Sequence, residues 1–203
     1  MDARRLVLLG TPVAFGVVSL LHPRPRGRSI VDALEPSLGR WLAVHVVQLV
    51  LLALLAATLW LLVEGNATRA ATVCRLALVP FLAFYSAFDA VVGIGTGTLI
   101  GLLRGLDGAA RVAAVQQVQA FWDAQRTPGG AAIFLVIGIA ILSWLVAAGA
   151  AAVALRQAGA GRAVAGLVAL AGVLFAIGHP FPWGTGAMAC LGAATWLRTR
   201  QLA

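Results

Sequence analysis

Apolar runs long enough to cross a bilayer constrain the fold of this chain more than any other feature. A transmembrane helix needs about 20 predominantly apolar residues in succession. Six runs approach that length, at residues 5–22, 41–63, 75–103, 131–155, 163–179 and 183–197. The pattern predicts an all-α, polytopic bundle of six transmembrane helices. With 203 residues, the chain has room for this bundle alone, so we predict a single integral membrane domain over residues 1–203.

Composition supports a membrane location and excludes a soluble domain. Of the residues, 61% are hydrophobic and 11% are charged, against about 45–50% apolar and about 25% charged in typical globular proteins. The formal charge of +8 would suggest nucleic acid as the partner of a soluble protein. Here the arginines lie at the ends of the apolar runs, where such residues meet lipid headgroups. We therefore predict the lipid bilayer, and not nucleic acid, as the partner.

The segment between the third and fourth runs has a different pattern. Val112, Val115, Val118 and Trp122 recur at helical spacing against polar residues. This spacing predicts an amphipathic helix that lies in the plane of the membrane interface. The third run is overlong and rich in glycine near its end, which predicts that the helix tilts or breaks around Gly93.

Six helices place both termini on one side of the membrane. The arginines divide almost evenly between the two sides, so their number scarcely decides the orientation. The leading pair, Arg4 and Arg5, and the short loops on the same side favour cytoplasmic termini. All 15 basic residues are arginine. Together with the heavy use of alanine, leucine, valine and glycine, this indicates a bacterium of high GC content and hence its inner membrane.

Asp89 is the only carboxylate in residues 76–103, and it points to a functional site. A charge at membrane depth is costly, so such a residue normally faces a cavity or a partner. The chain has only three histidines: His22, His45 and His179. At a helical rise of about 1.5 Å per residue, Asp89 and the three histidines fall in one band about 5 Å thick. This band lies near the face opposite the termini, which we predict to be the outer leaflet.

Further polar residues accompany this band. Tyr85 and Ser86 share a helix face with Asp89, and Gln48 shares one with His45. We predict that Asp89 and Tyr85 are catalytic candidates, and that Gln48 and Ser86 line the pocket.

Three imidazoles and a carboxylate form a ligand set suited to Zn, Cu, Fe or Ni. A metal with three protein ligands and an open position lowers the pKa of bound water to about 7. Asp89 would then be a fourth ligand, would orient a histidine, or would accept the proton of the water. This predicts a metal-dependent membrane enzyme for a lipid-soluble or interfacial substrate, with a divalent metal such as Zn as cofactor.

Other interpretations of the same residues remain open. His22 and His179 each precede proline, as residues that cap a helix C-terminus do. His45 could bond Gln48 or a lipid headgroup, and a bond to Tyr85 or His45 could satisfy Asp89. The alternative functions are a transporter or proton-coupled carrier that titrates Asp89 and His45, and a non-catalytic subunit of a larger membrane complex. Haem ligated by two of the histidines is a further alternative.

Overall fold

The computed structural model describes residues 2–24, 29–125, 127 and 130–201, and they form an all-helical bundle without strands. The long helices are α1 (Ala3–Leu21), α3 (Leu38–Leu62), α4 (Arg69–Phe88), α6 (Gly108–Ala124), α7 (Ala131–Gln157), α8 (Arg162–Ile177) and α9 (Trp183–Gln201). Two short helices join them, α2 (Ile30–Leu34) and α5 (Thr96–Leu102).

Four helical segments among the described residues are long and apolar enough to cross a membrane. They are Ala3–Leu21, Ile30–Leu62, Arg69–Gly105 and Ala131–Gln157. The last two predicted spans differ from these. Helix α8 is apolar but has only 16 residues, and α9 is less apolar because its last turn carries Arg198 and Arg200.

Helix ends depart from the predicted runs where a local interaction sets the boundary. Helix α3 starts at Leu38, before the predicted Trp41, because a 3-10 turn over Glu35–Ser37 connects it directly to α2. Helix α4 starts at Arg69 because the Thr68 hydroxyl caps it by accepting a hydrogen bond from the Ala71 amide at 3.3 Å.

The third segment does not break at Gly93. Helix α4 continues through a π-helical stretch, Asp89–Gly95, into α5. A π-helical turn adds a residue to the turn and is often found at functional sites. Asp89 itself keeps the α-helical register, since its amide still donates to the Tyr85 carbonyl, whereas the extra residue shifts the direction in which Gly93 faces.

The main core lies between α1, α3, α4, α7, α8 and α9. Small side chains on α7 let this helix approach α4 and α8 closely, as is common in membrane bundles. Aromatic rings fill the centre, where Phe81 and Phe175 lie 4.8 Å and 5.0 Å from Trp144 between ring centroids. The Trp144 indole also donates a hydrogen bond to the Gly172 carbonyl at 3.1 Å.

A second apolar cluster joins α2, α5 and α6 to the start of α3. The guanidinium of Arg111 holds both carboxylate oxygens of Glu35, at 2.9 Å and 3.1 Å. The predicted apolar stripe of α6 is only partly buried, since Val118 and Trp122 are covered whereas Val112 is 60% exposed. Helix α6 thus folds over one end of the bundle.

Candidate metal centre

Three histidines from three separate segments meet near one end of the bundle. His22 follows α1, His45 lies about two turns into α3, and His179 lies between α8 and α9. One ring nitrogen from each residue lies within 4.8 Å of those of the other two. The centroid of the His22 ring lies 4.9 Å from that of His45 and 5.1 Å from that of His179. These residues could hold a metal ion.

Each imidazole is oriented by an oxygen atom at Nδ1. His22 Nδ1 lies 2.7 Å from the Pro23 carbonyl, and His45 Nδ1 lies 2.8 Å from the Trp41 carbonyl. A carbonyl can only accept, so in these two rings Nδ1 carries the proton and Nε2 keeps its lone pair. This is the arrangement in which histidine binds a metal through Nε2.

The third ring has a side-chain partner in place of a carbonyl. His179 Nδ1 lies 3.0 Å from the Tyr85 hydroxyl, which can accept a hydrogen bond from it. Among the described residues, Nε2 of both His22 and His179 is buried without a hydrogen-bond partner. The tyrosine therefore orients His179, and Nε2 keeps a lone pair in the tautomer in which the hydroxyl accepts from Nδ1.

Asp89 lies beside the three rings at the start of the π-helical stretch. Its Oδ1 atom lies 4.0 Å from His45 Nε2, and the residue is 2% exposed. Its Oδ2 atom has no hydrogen-bond partner among the residues that the structure describes. The carboxylate thus has one oxygen toward the histidines and one free to bind another group.

Gly93 provides the space that His45 needs. A Cβ atom at this position would lie 1.8 Å from His45 Cδ2, so no larger residue fits while the ring stays in place. The Gly93 carbonyl also accepts a hydrogen bond from the Trp41 indole at 2.6 Å, and Trp41 packs against the His45 ring. The π-helical stretch therefore positions both Asp89 and His45.

Gly184 has the same role for His179. A Cβ atom at Gly184 would lie 1.5 Å from the carbonyl oxygen of His179. The Gly184 amide donates a hydrogen bond to the Pro180 carbonyl at 2.9 Å. The first turn of α9 thus packs directly on the backbone that carries the third histidine.

The helix-capping interpretation of His22 and His179 finds no support in this geometry. The His22 ring bonds the carbonyl of Pro23, which follows the helix, and not a carbonyl of the last turn of α1. The His179 ring bonds Tyr85 on α4. Both rings belong to the cluster, although His22 is the residue at the C-cap position of α1.

A cavity of about 320 Å³ adjoins the cluster. All three histidines, Asp89 and Tyr85 line it, together with mainly apolar side chains from α4, α7 and α8. Gln48 and Ser86, which were expected in the pocket, are not among the lining residues. Gln48 lies almost one turn further along α3, and Ser86 follows Tyr85 and so points about 100° away from it.

Trp41, Trp122 and Gln125 are among the lining residues that sequence reasoning did not assign to the pocket. Trp41 had a signal, because it lies one turn before His45 and so shares its face. Trp122 and Gln125 had none, since they reach the cavity only because α6 folds back over α2 and α5.

Comparison of the chain with protein-family models, curated proteins and solved structures gives no match.

Proposed function

We propose that His22, His45 and His179 bind one divalent metal ion, and that the protein is a metal-dependent membrane enzyme. The orientation of the rings supports this proposal: an oxygen atom lies at each of the three Nδ1 atoms, and one ring nitrogen from each histidine lies within 4.8 Å of those of the other two. Without a shared ligand, the Nε2 atoms of His22 and His179 are buried and unsatisfied among the described residues, which is unfavourable. A bound ion removes that penalty for both at once.

Zinc suits this ligand set best. Three histidines with an open position for water or substrate are typical of catalytic zinc, with Zn–N distances of about 2.0–2.1 Å. Tetrahedral geometry at that bond length places ligand atoms about 3.4 Å apart, so the rings close slightly around the ion. The contacts between the imidazole rings leave no gap for a planar macrocycle, which favours a single ion over haem.

Asp89 and Tyr85 complete the proposed site. A metal-bound water has a pKa near 7, and Asp89 accepts its proton when the water attacks the substrate. Tyr85 is a positioning residue, because it acts through His179. The reaction class that follows is hydrolysis.

In the proposed membrane arrangement α1, α3, α4, α7, α8 and α9 all cross the bilayer. One depression, at the end of the bundle away from the histidines, is lined by Asp2, Glu64 and Arg198. Because Asp2 precedes α1 and Arg198 lies near the end of α9, the first helix begins and the last helix ends on the same side, as an even number of crossings requires. Both termini face the cytoplasm of a bacterial cell, α6 lies in the interface, and the metal centre lies near the outer leaflet. The apolar walls of the cavity suit a lipid-soluble substrate.

Metal analysis of the protein purified in detergent tests the proposal. After incubation with Zn²⁺ and removal of free ions, elemental analysis should find about one ion per chain. Because no ring serves as a helix cap, His22→Gln, His45→Gln and His179→Gln should each lose the metal. Gln48→Met is the matched control, since this residue is buried on α3 near His45 but does not line the cavity. Equal metal content in the His45→Gln variant and the wild type would overturn the proposal.

A further inference from the structure

The charges around the cavity restrict the substrate. Asp89 is the only charged side chain among the described residues that line it. The chain has 15 basic residues, yet no described arginine is part of the lining. Arg24, which lies close in sequence to His22, is held 4.4 Å above the Phe181 ring, and neither is part of the lining. Since arginine is the preferred partner of phosphate groups, a phosphorylated headgroup would find a carboxylate here and, among the described residues, no cationic side chain.

Gln125 provides a hydrogen-bond donor in the same cavity. It directly follows α6, is 7% exposed, and has an Nε2 atom without a hydrogen-bond partner in the described part of the chain. A buried amide donor that lacks a partner favours a ligand with an acceptor in that place. A carbonyl oxygen is such an acceptor, and it needs no counter-charge.

The remaining walls are suited to a hydrocarbon chain. Phe88, Ile137, Ile141 and Phe175 line the cavity, and so does Ile177, which is 56% exposed on the outside of the bundle. The apolar wall therefore continues onto the outer surface, which faces lipid in the proposed arrangement. The volume of about 320 Å³ is at the low end for ligand pockets. It fits the polar end of a lipid and the start of its chain, while the rest of the chain stays in the bilayer.

We infer that the substrate is a long-chain fatty acyl ester or amide without phosphate at the reacting end. This inference rests on the proposed function and specifies its substrate class. Gln125 donates a hydrogen bond to the acyl carbonyl oxygen and so positions the carbonyl carbon beside the metal-bound water. It is a residue for substrate positioning, whereas Asp89 is the base.

The reaction balances as a hydrolysis. The oxygen of the water forms a bond to the carbonyl carbon, and the bond from that carbon to the ester oxygen or amide nitrogen breaks. Asp89 takes one proton of the water and passes it to the leaving oxygen or nitrogen. The products are a fatty acid and an alcohol or amine, and nothing is oxidised or reduced.

Turnover by the zinc-loaded full chain in mixed micelles tests the substrate class. The probes are p-nitrophenyl palmitate, palmitoyl p-nitroanilide and bis(p-nitrophenyl) phosphate. We expect release of p-nitrophenol or p-nitroaniline from at least one acyl probe at a rate about tenfold or more above that of the His45→Gln protein, and no such excess from the phosphodiester.

Gln125→Leu tests the positioning role. Loss of one hydrogen bond to the substrate should raise KM for the acyl probe about tenfold while metal content and kcat change little. Gln117→Leu is the control, because Gln117 is exposed on the same helix and is not part of the cavity lining. A KM for Gln125→Leu equal to that of the wild type would refute this role.

The two proposals fail in different ways. A wild-type protein without bound zinc would refute the proposed function itself. A protein that binds zinc but hydrolyses only the phosphodiester, or none of the three probes, would leave the metal centre intact and overturn the substrate class.

Discussion

The two ends of the bundle treat their buried polar groups in opposite ways. We call the end with His22, His45 and His179 the histidine end, and the end with Asp2, Glu64 and Arg198 the termini end. At the termini end, side chains satisfy helix carbonyls. Arg75 donates to the carbonyls of Val63 and Asn66 at 2.7 Å and 3.2 Å. Further bonds there run from Arg4 to the Leu61 carbonyl at 3.1 Å and from Asn66 to the Ala154 carbonyl at 2.7 Å.

The histidine end leaves polar atoms unpaired. The buried side-chain atoms without a partner in the described residues belong to Ser19, His22, Gln48, Asp89, Thr96, Gln125, His179 and Thr185. Each of these residues lies in the half of its segment nearer the histidines or in the connections around them. Most buried polar groups in folded proteins are hydrogen-bonded, so this one-sided distribution indicates where the protein binds something.

With the proposed function, the metal and substrate groups and the capping contacts lie at different ends of the helices. The termini end has capped helix ends and a core of close-packed small residues. The histidine end contains the π-helical stretch and the cavity. Substitutions at the histidine end should change metal binding and substrate binding. Substitutions at the termini end should change only the free energy of unfolding.

Metal binding should have the largest effect, because it satisfies several atoms of the histidine end together. An ion that binds only the folded state at about 1,000 times its Kd stabilises it by about 4 kcal/mol. We expect Zn²⁺ to raise the Tm of the wild type, and a chelator to reverse the rise. Tryptophan fluorescence during heating provides the measurement. The Tm of His45→Gln should not respond to Zn²⁺, and an equal response in that variant would place the ion elsewhere.

Gly93→Ala should have the next largest effect. The added Cβ would lie 1.8 Å from His45 Cδ2, so the ring or the π-helical stretch has to move. Overpacking of this kind costs about 1–3 kcal/mol, and the displaced ring should also lose the metal. Elemental analysis and thermal unfolding measure the two effects.

Gly138→Ala is the matched control for that substitution. Gly138 lies within α7, is exposed, and would have nothing within 4 Å of a new Cβ atom. Alanine should be neutral or stabilise the helix there by up to about 1 kcal/mol. If Gly93→Ala keeps its zinc and behaves like Gly138→Ala, His45 does not need the space that Gly93 provides.

The sequence predicts those features of the site that depend on one helix alone. Helical rise alone places His22, His45, Asp89 and His179 at one depth, because depth depends only on the distance from a helix end. Periodicity likewise reveals the apolar helices. Neither gives the rotation of one helix about its axis relative to another.

The features that sequence reasoning missed are those that depend on tertiary packing. The π-helical stretch over Asp89–Gly95 changes the direction in which Gly93 and the residues after it face, and the glycines around it were compatible with a tilt or a break. Gln48 and Ser86 were assigned to the pocket by helical neighbourhood, but their neighbours His45 and Tyr85 line it and they themselves do not. Gln125 reaches the cavity only through contacts between α6, α2 and α5.

Thr68→Ala should have the smallest effect, and it tests the termini end. The Thr68 hydroxyl caps α4 by accepting from the Ala71 amide, and loss of such a cap costs about 1 kcal/mol. Thr72 is exposed and its hydroxyl bonds only the Thr68 carbonyl within the helix, so Thr72→Ala should change the Tm less. Because both positions are about five turns or more from Asp89 along the helix, both variants should keep full metal content and unchanged KM. Loss of zinc in Thr68→Ala would show that the two ends are coupled. It would contradict the inference that residues of the termini end stabilise the fold without contributing to metal binding.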